Sequence, residues 1–356
     1  MSDRIHSIQV NTVPGYTVSI GSGLLSQCGA KLREIMNLCR IAVMTDSNVA
    51  SLYLEPVCVS LRSAGFDVVS HVFPAGEPNK NIETLSGMLE FLAEAQLTRS
   101  DCVVALGGGV TGDMAGFAAG CYLRGIRYVQ MPTTLLSAVD SSVGGKTAID
   151  LKSGKNLAGL FIQPEAVLCD TDCLASLPPE VFADGAAEAI KTGVLCDESL
   201  FSLFENGDLT SAPAEVIARC VAFKAGVVER DETEQNERQL LNLGHTVGHA
   251  IEKCSGYAIP HGHAVAAGLA IMARAAETLG WTDGPLARRI ETCLVKNALP
   301  ISTAYSAQEL TQAALKDKKR AGDHITIVVP RAIGLCERKT IAVTQLLPVI
   351  AAGLEG

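Results

Sequence analysis

Four of the seven histidines fall within Asn242–His263, NLGHTVGHAIEKCSGYAIPHGH. His245 and His249 are four residues apart and so share one face of a helix, while His261 and His263 follow a loop marked by Gly256 and Pro260. Imidazoles gathered in this way commonly bind a divalent metal. They also cap helices and line polar pockets, and an H-x3-H pair alone does not decide between these uses. Thr246, Val247 and Gly248 separate the pair, so the glutamate of the HExxH zincin pattern is absent. Any metal must take a ligand from elsewhere in the chain.

A carboxylate is available in GAAEAIK, where Glu188 and Lys191 lie three apart among alanines and Ile190. Charge on an apolar helical face is costly unless it is paired or ligated. An intrahelical ion pair and a ligand role both satisfy this spacing.

Two further stretches suit anion binding. Gly107, Gly109 and Gly112 form G-x-G-x-x-G directly after the apolar run DCVVAL, the context in which backbone N–H groups approach a pyrophosphate at a helix N-terminus. Glycine also serves tight strand-to-helix turns, and the motif is not in the first βα turn, so a non-standard dinucleotide domain is expected. Downstream, Pro132–Asn156 reads PTTLLSAVDSSVGGKTAIDLKSGKN. Thr133 and Thr134 follow a proline at a strand end, Lys146 follows Gly144 and Gly145, and Lys155 and Asn156 follow Gly154. We read these as glycine-framed loops delivering polar heads to phosphate or hydroxyl groups.

The elements that must hold these groups follow from periodicity. Ser7–Ile20 reads as a hairpin through Pro14 and Gly15. Arg40–Thr45, Asp67–Phe73, Asp101–Leu106 and Arg127–Met131 read as strands, alternating with helices near Val49–Ala64 and Ile82–Leu97. Such alternation implies right-handed crossovers and a mostly parallel sheet, which binds ligands at the carboxyl ends of its strands. From about Thr171 helical periodicity takes over, at Phe182–Leu195, Ala214–Glu229, Leu240–Lys253, His263–Leu279 and Pro285–Asn297, relieved only by a short strand at Ile325–Val329. The fold class is therefore α/β plus α, with an α/β domain over residues 1–172 and a mainly helical domain over 173–356.

The chain has 356 residues, 48% hydrophobic and 19% charged, which fits a globular protein of two domains. No apolar signal core opens it, and the apolar run Ala264–Ala273 is too short to span a bilayer, so a cytoplasmic location and no membrane partner are expected. Twelve scattered cysteines without a CxxC pair suggest reduced thiols. The net charge of -9, with no long basic run, argues against nucleic acid as a partner and leaves room for a small anionic ligand held by a local basic cluster.

Taken in order, GGGVTGDMAGF, the Pro132–Asn156 block, GAAEAIK, LNLGHTVGHAIE, HGHAVAAG and DKKR followed by VVPRAIG resemble the 3-dehydroquinate synthases, from Asp46 to about Gly334. The resemblance implies a Rossmann-like N-terminal domain, a helical C-terminal domain, NAD and one divalent metal, zinc or cobalt, as cofactors, and a homodimer. The implied activity converts a small anionic sugar phosphate, 3-deoxy-D-arabino-heptulosonate 7-phosphate, to 3-dehydroquinate and phosphate in the shikimate pathway. It proceeds by transient oxidation, phosphate elimination, reduction and intramolecular aldol closure.

By motif position the metal ligands implied are Glu188, His245 and His261, which leaves His249 for the substrate. NAD falls to Asp46, Asn48, Glu77, Lys80, Gly108, Gly109, Val110, Thr111, Gly112, Asp113, Thr133, Thr134, Asp140, Lys146, Lys155, Cys173, Ser176 and Leu177. Lys146, Asn156, Lys191, Lys224, Arg238, Asn242 and Lys318 or Lys319 form the implied cage for phosphate and carboxylate, and Arg124 reaches a neighbouring subunit. One departure stands out: His263 occupies a position where the family usually carries glutamate, and where a carboxylate would orient a ligand histidine. Three other readings stay open: a sister sugar-phosphate cyclase, a metal-dependent glycerol or alcohol dehydrogenase, and a non-catalytic nucleotide-binding protein.

Overall fold

The chain forms two units in a computed structural model that describes residues 5–207, 212–315, 320–321 and 323–355. The first unit comprises Met1–Leu177 with Lys224–Glu232, and the second Pro178–Phe223 with Thr233–Gly356.

The first unit begins with the hairpin β1 (His6–Val10) and β2 (Tyr16–Gly21), then α1 (Cys28–Ile35), β3 (Arg40–Asp46), the single turn α2 (Ser47–Val49) and α3 (Glu55–Ser63). It continues through β4 (Asp67–Phe73), α4 (Ile82–Glu94), β5 (Cys102–Gly107), α5 (Gly109–Cys121), β6 (Arg127–Pro132), β7 (Lys146–Leu151), β8 (Gly154–Phe161) and β9 (Ala166–Asp170). Seven strands make one sheet in the order β1-β2-β9-β6-β5-β3-β4, and only the β1–β2 pair is antiparallel.

Both faces of this sheet are covered. Ile41 and Val43 pack with Cys28 and Leu32 of α1 and Val57 and Leu61 of α3. Ala42, Met44, Val103 and Ala105 pack with Leu85 and Met88 of α4 and Met114 and Ala118 of α5 on the other side. Two-sided burial is why RIAVMT and DCVVAL are continuous apolar runs and not alternating ones. The strand order reverses at β3, with β4 on one side and β5 on the other. Parallel sheets leave a ligand crevice at such a switch point, and Asp46 and Gly107 end the two strands that define it here.

The Pro132–Asn156 block departs from the expected loops. From Lys146 onward the chain runs as the antiparallel pair β7–β8. Small and polar residues and extensive exposure along β8 hide the strand alternation that a half-buried sheet would show. Strand β9, buried throughout, was also not anticipated; it joins β2 to β6 in the sheet.

Asp101 locks the entrance to β5. Its carboxylate accepts from Thr98 N at 2.6 Å, Thr98 Oγ1 at 2.8 Å and Arg40 N at 2.8 Å. Burial opposes its charge, but the bonds from Thr98 and Arg40 outweigh that and hold the carboxyl below the usual range. A depressed native pKa stabilises fully above the unfolded value of about 3.9, and this contribution is lost as pH falls through the lower native value. We expect Asp101→Asn to lose about 1–2 kcal/mol of urea stability at pH 6, with the gap to the parent shrinking below pH 4. An equal gap at both pH values would refute the assignment.

The second unit contains α6 (Pro179–Cys196), α7 (Glu198–Asn206) and α8 (Pro213–Arg230), the end of α8 from Lys224 being grouped with the first unit. Then follow α9 (His245–Cys254), α10 (His261–Thr278), α11 (Ala287–Lys296), α12 (Ala307–Leu315), β10 (Arg320–Ala321), β11 (His324–Ala332), β12 (Leu335–Ala342) and α13 (Leu346–Glu355). The expected single strand is part of a three-stranded antiparallel sheet, β10-β11-β12. Charged Glu337, Arg338 and Lys339, with only Ile341 buried, conceal β12 in the sequence. The helix expected from Leu240 begins at His245 instead, because Gly244 turns left-handed at φ 76° after a 3-10 turn over Glu237–Asn242.

Helix α10 is the centre of this unit, and Ala264, Ala267, Ile271 and Ala275 pack with Val247 and Ile251 of α9, Leu310 of α12, Ile327 of β11 and Ile350 of α13. Its small residues set the distances between helices. A Cβ on Gly268 would meet the Gly244 carbonyl oxygen at 2.2 Å, and one on Gly262 would meet that of Asp184 at 1.9 Å. Helices α9 and α6 therefore approach α10 backbone to backbone. Among the described residues, no helix is long and apolar enough to cross a membrane.

Candidate active site

That close packing brings three side chains of the second unit together. Glu188 projects from α6, His245 from the start of α9 and His261 from the start of α10. One donor atom from each lies within 4.8 Å of the others. Glu188 Oε1 is 3.6 Å from His245 Nε2 and 3.4 Å from His261 Nε2. Lys191 Nζ makes a close ion pair with Glu188 Oε2, so the intrahelical pair expected from spacing forms as well. Glu188 is 1% exposed and Lys191 2%.

The electrostatics favour positive charge at this point. Burial opposes ionisation of Glu188, but Lys191 and His261 outweigh it and pull its pKa down to about 2. Burial likewise opposes charge on His261, yet the neighbouring Glu188 and Glu252 carboxylates push it up to about 10. Neither Glu188 oxygen accepts a well-aligned hydrogen bond. A buried carboxylate so placed, with two imidazole nitrogens at hand, is a donor set that suits zinc or cobalt. Each ring is held from behind: His245 Nδ1 donates to the Leu243 carbonyl at 3.0 Å, and His261 Nδ1 lies 3.1 Å from Glu252 Oε2.

Glu252 had been given no role by its sequence context, although it falls three residues after His249 on the same helical face. Its Oε2 is the carboxylate oxygen beside the His261 ring. His263 instead turns to Asp184, whose Oδ1 accepts from its backbone N at 3.1 Å and lies 3.1 Å from Nδ1. The reason is the crossing of α6 and α10 at Gly262, which sets Asp184 beside residue 263. His249 stands close by, its ring centroid 5.2 Å from that of His245 and 5.8 Å from that of His261. Arg238, 2% exposed, and Asn242, which donates to Glu234 Oε1 at 2.8 Å, belong to the 3-10 turn ahead of α9. Lys318 and Lys319 lie outside the described residues.

In the first unit the candidates for nucleotide binding gather at the strand ends. Asp46 Oδ1 caps α2 by accepting from Asn48 N and Val49 N, and its Oδ2 accepts from Thr111 Oγ1 at 3.1 Å. Helix α5 opens at Gly109, and its N-cap Gly108 offers no side-chain cap to the first-turn amides, which include Val110. Gly112 has a second use, since a Cβ there would strike Gln130 Oε1 at 2.6 Å. Thr133 N donates to the Gly107 carbonyl at 3.0 Å, and Thr134 and Ser137 hydroxyls are 2.9 Å apart.

Beside this turn sits a polar network. Lys80, 4% exposed, donates to Asp113 Oδ2 at 2.5 Å and Asn156 Oδ1 at 2.6 Å. Lys155 pairs with Glu77 at 3.1 Å, and Asp150 Oδ1 accepts from Asn156 N at 2.8 Å. Asn156 is left-handed, at φ 53° within β8, a conformation that asparagine tolerates better than most residues and that sites often retain. Lys224 donates to the carbonyl and the carboxylate of Asp140, both at 2.7 Å. Lys146 opens β7 and is exposed.

Cys173 and Ser176 lie on a 3-10 turn just before Leu177, where Ser176 Oγ accepts from Tyr53 at 2.7 Å, a partner that spacing alone did not reveal. Arg124 is exposed on a turn where Leu123, Arg124 and Gly125 all have positive φ. Seven of the twelve cysteines are buried.

The fold is shared with 2-deoxy-scyllo-inosose synthase. The crystal structure of 2-deoxy-scyllo-inosose synthase complexed with carbaglucose-6-phosphate, NAD+ and Co2+ superposes with a TM-score of 0.87, covering 99% of this chain and 100% of that one at 24% identity. The 3-dehydroquinate synthase N-terminal family pattern matches residues 70–184, and the C-terminal pattern residues 185–320. The 3-dehydroquinate synthase of Enterococcus faecalis is 42% identical over 325 residues, 90% of this chain and 91% of that protein. That of a Shewanella species is 44% identical over 328 residues, with 90% and 91% covered. The chain belongs to the 3-dehydroquinate synthase family.

Proposed function

We propose that this chain converts 3-deoxy-D-arabino-heptulosonate 7-phosphate to 3-dehydroquinate and phosphate, and that Glu188, His245 and His261 hold a divalent metal, zinc or cobalt. The observation that carries the reading is the buried Glu188 carboxylate, which accepts no aligned hydrogen bond and faces two imidazole nitrogens. When bound, NAD supplies a reversible hydride acceptor, and the metal supplies Lewis-acid polarisation of the substrate hydroxyl and the developing oxyanion.

The chain's own residues do the rest. Asp46 and the Gly108–Asp113 turn, with Asn48, Glu77, Lys80, Thr133, Thr134, Asp140, Lys155, Cys173, Ser176 and Leu177, are the proposed NAD-holding set, with the pyrophosphate at the start of α5. Lys146, Asn156, Lys191, Lys224, Arg238, Asn242, His249 and Lys318 are the proposed contacts for the phosphate, carboxylate and hydroxyls of the substrate. Cationic donors of this kind stabilise charge that develops as phosphate leaves. Arg124, presented on its exposed left-handed turn, is the proposed contribution to a neighbouring subunit in a homodimer. The first unit is the proposed NAD-binding domain and the second the metal- and substrate-binding domain.

The direct test is release of inorganic phosphate from the heptulosonate phosphate in the presence of NAD and Zn2+ or Co2+. We expect turnover that a chelator abolishes, with no net NADH at steady state. Accumulating NADH would indicate a dehydrogenase, and equal turnover of a hexose phosphate lacking the carboxylate would indicate a sister cyclase. No phosphate release under any of these conditions would defeat the enzymatic reading.

A further inference from the structure

The donors around His261 form two overlapping triads, Glu188–His245–His261 and His249–Glu252–His261. The shared ring can face an ion with either nitrogen, so the geometry poses a choice between one ion and two. On the Nε2 side lies a carboxylate whose oxygens accept no aligned hydrogen bond. On the Nδ1 side Glu252 Oε2, at 3.1 Å, already satisfies the ring. A second ion there would have to displace that bond and leave both ring nitrogens without a proton, an unfavourable state for imidazole.

We propose that Glu252 is the positioning residue of the metal site: it accepts the Nδ1 proton of His261, fixes the ring so that Nε2 points beside Glu188, and is not itself a ligand. The inference rests on the metal reading above. Glu252 is 3% exposed, and its place in the fold is pinned. Ser255 Oγ and Tyr257 N donate to its backbone carbonyl at 2.8 and 2.7 Å, closing the end of α9 from which it projects. Helix α9 thereby carries a ligand, His245, and the group that aims a ligand from another helix. One helical register sets both, seven residues apart. Carboxylates behind ligand histidines raise ligand basicity and fix the ring, and their loss typically weakens metal binding by about 10- to 100-fold.

The test is Co2+ binding to the full chain by chelator competition, with the visible Co2+ spectrum and the melting of the metal-free protein recorded in parallel. The parent should bind one Co2+ per chain. Glu252→Gln should still bind one, with Kd raised about 10- to 100-fold and an altered spectrum; metal-free melting should fall as well, since His261 loses a buried partner there, and Glu252→Asp, which keeps the charge, should recover part of both. If Glu252→Gln does not fold, Glu252→Asp carries the same comparison. Two ions in the parent and one in the variant would make Glu252 a ligand and overturn the proposal. So would an unchanged Kd, or a Co2+ spectrum identical to the parent's. A parent that binds no Co2+ would instead defeat the underlying metal reading.

Discussion

Glu188→Gln should abolish Co2+ and Zn2+ binding at micromolar metal and lower phosphate release by roughly a thousandfold or more, the scale expected when a preorganised electrostatic group is lost. It should also destabilise the metal-free protein by about 3–5 kcal/mol, because removing one partner of a buried pair leaves the other charge uncompensated. That partner is Lys191, whose side chain is 3% exposed, as Glu188's is 1%. His261 loses a carboxylate at the same time. The two effects separate in a double variant. Glu188→Gln combined with Lys191→Met removes the stranded ammonium, so denaturant stability should recover while metal binding stays lost. If stability did not recover, the Lys191 pairing would not be the source of the cost, and retained metal binding in Glu188→Gln would sink the ligand assignment.

The second large effect is expected in the first unit. Lys80→Met should lower stability by about 3 kcal/mol, since it strands the Asp113 carboxylate that Lys80 contacts at 2.5 Å. Burial already holds the Asp113 carboxyl above the usual range, with Lys80 working against that rise. The sign of the pH dependence follows. Without the ammonium, the native pKa of Asp113 climbs further above its unfolded value of about 3.9, so the ionised form is penalised in the native state. The stability deficit should be greatest near pH 8 and should narrow as pH falls through the raised native pKa. Urea midpoints at pH 8 and pH 5 decide this, and a deficit independent of pH would show that lost packing of the lysine stem dominates. NADH binding should weaken in parallel if the Lys80–Asp113–Asn156 network serves the nucleotide, and Asp113→Asn in the same background should restore stability without restoring the lysine.

Much of this architecture is legible in the residues because the physics that writes it is local. Continuous apolar runs such as RIAVMT report a strand covered on both faces, and a strand running into GGGVTG reports a turn and a helix N-terminus. The errors have local causes too. Strands β8 and β12 bury almost no residue fully and carry small or charged residues, so no apolar alternation marks them, and the left-handed Gly244 cuts short a helix whose periodicity looked continuous. The glycine-framed lysines proved to belong to a hairpin, where Asn156, bent at φ 53°, meets Lys80 from a distant segment.

The candidate site divides in the same way. By itself the sequence determined that His245 and His249 share a helical face, that Glu188 and Lys191 lie within pairing distance, and that Asp46 and the glycine turn each end a strand. Spacing fixes these because a helix or strand repeats every few residues. Only the tertiary structure decided that Glu188 meets His245 and His261, that Glu252 stands behind His261, and that His263 turns away to Asp184. Those contacts depend on how closely α6, α9 and α10 approach, which Gly262 and Gly268 permit by leaving no side chain between backbones. Distances between elements far apart in the chain are set by packing, and periodicity within one element carries no record of them.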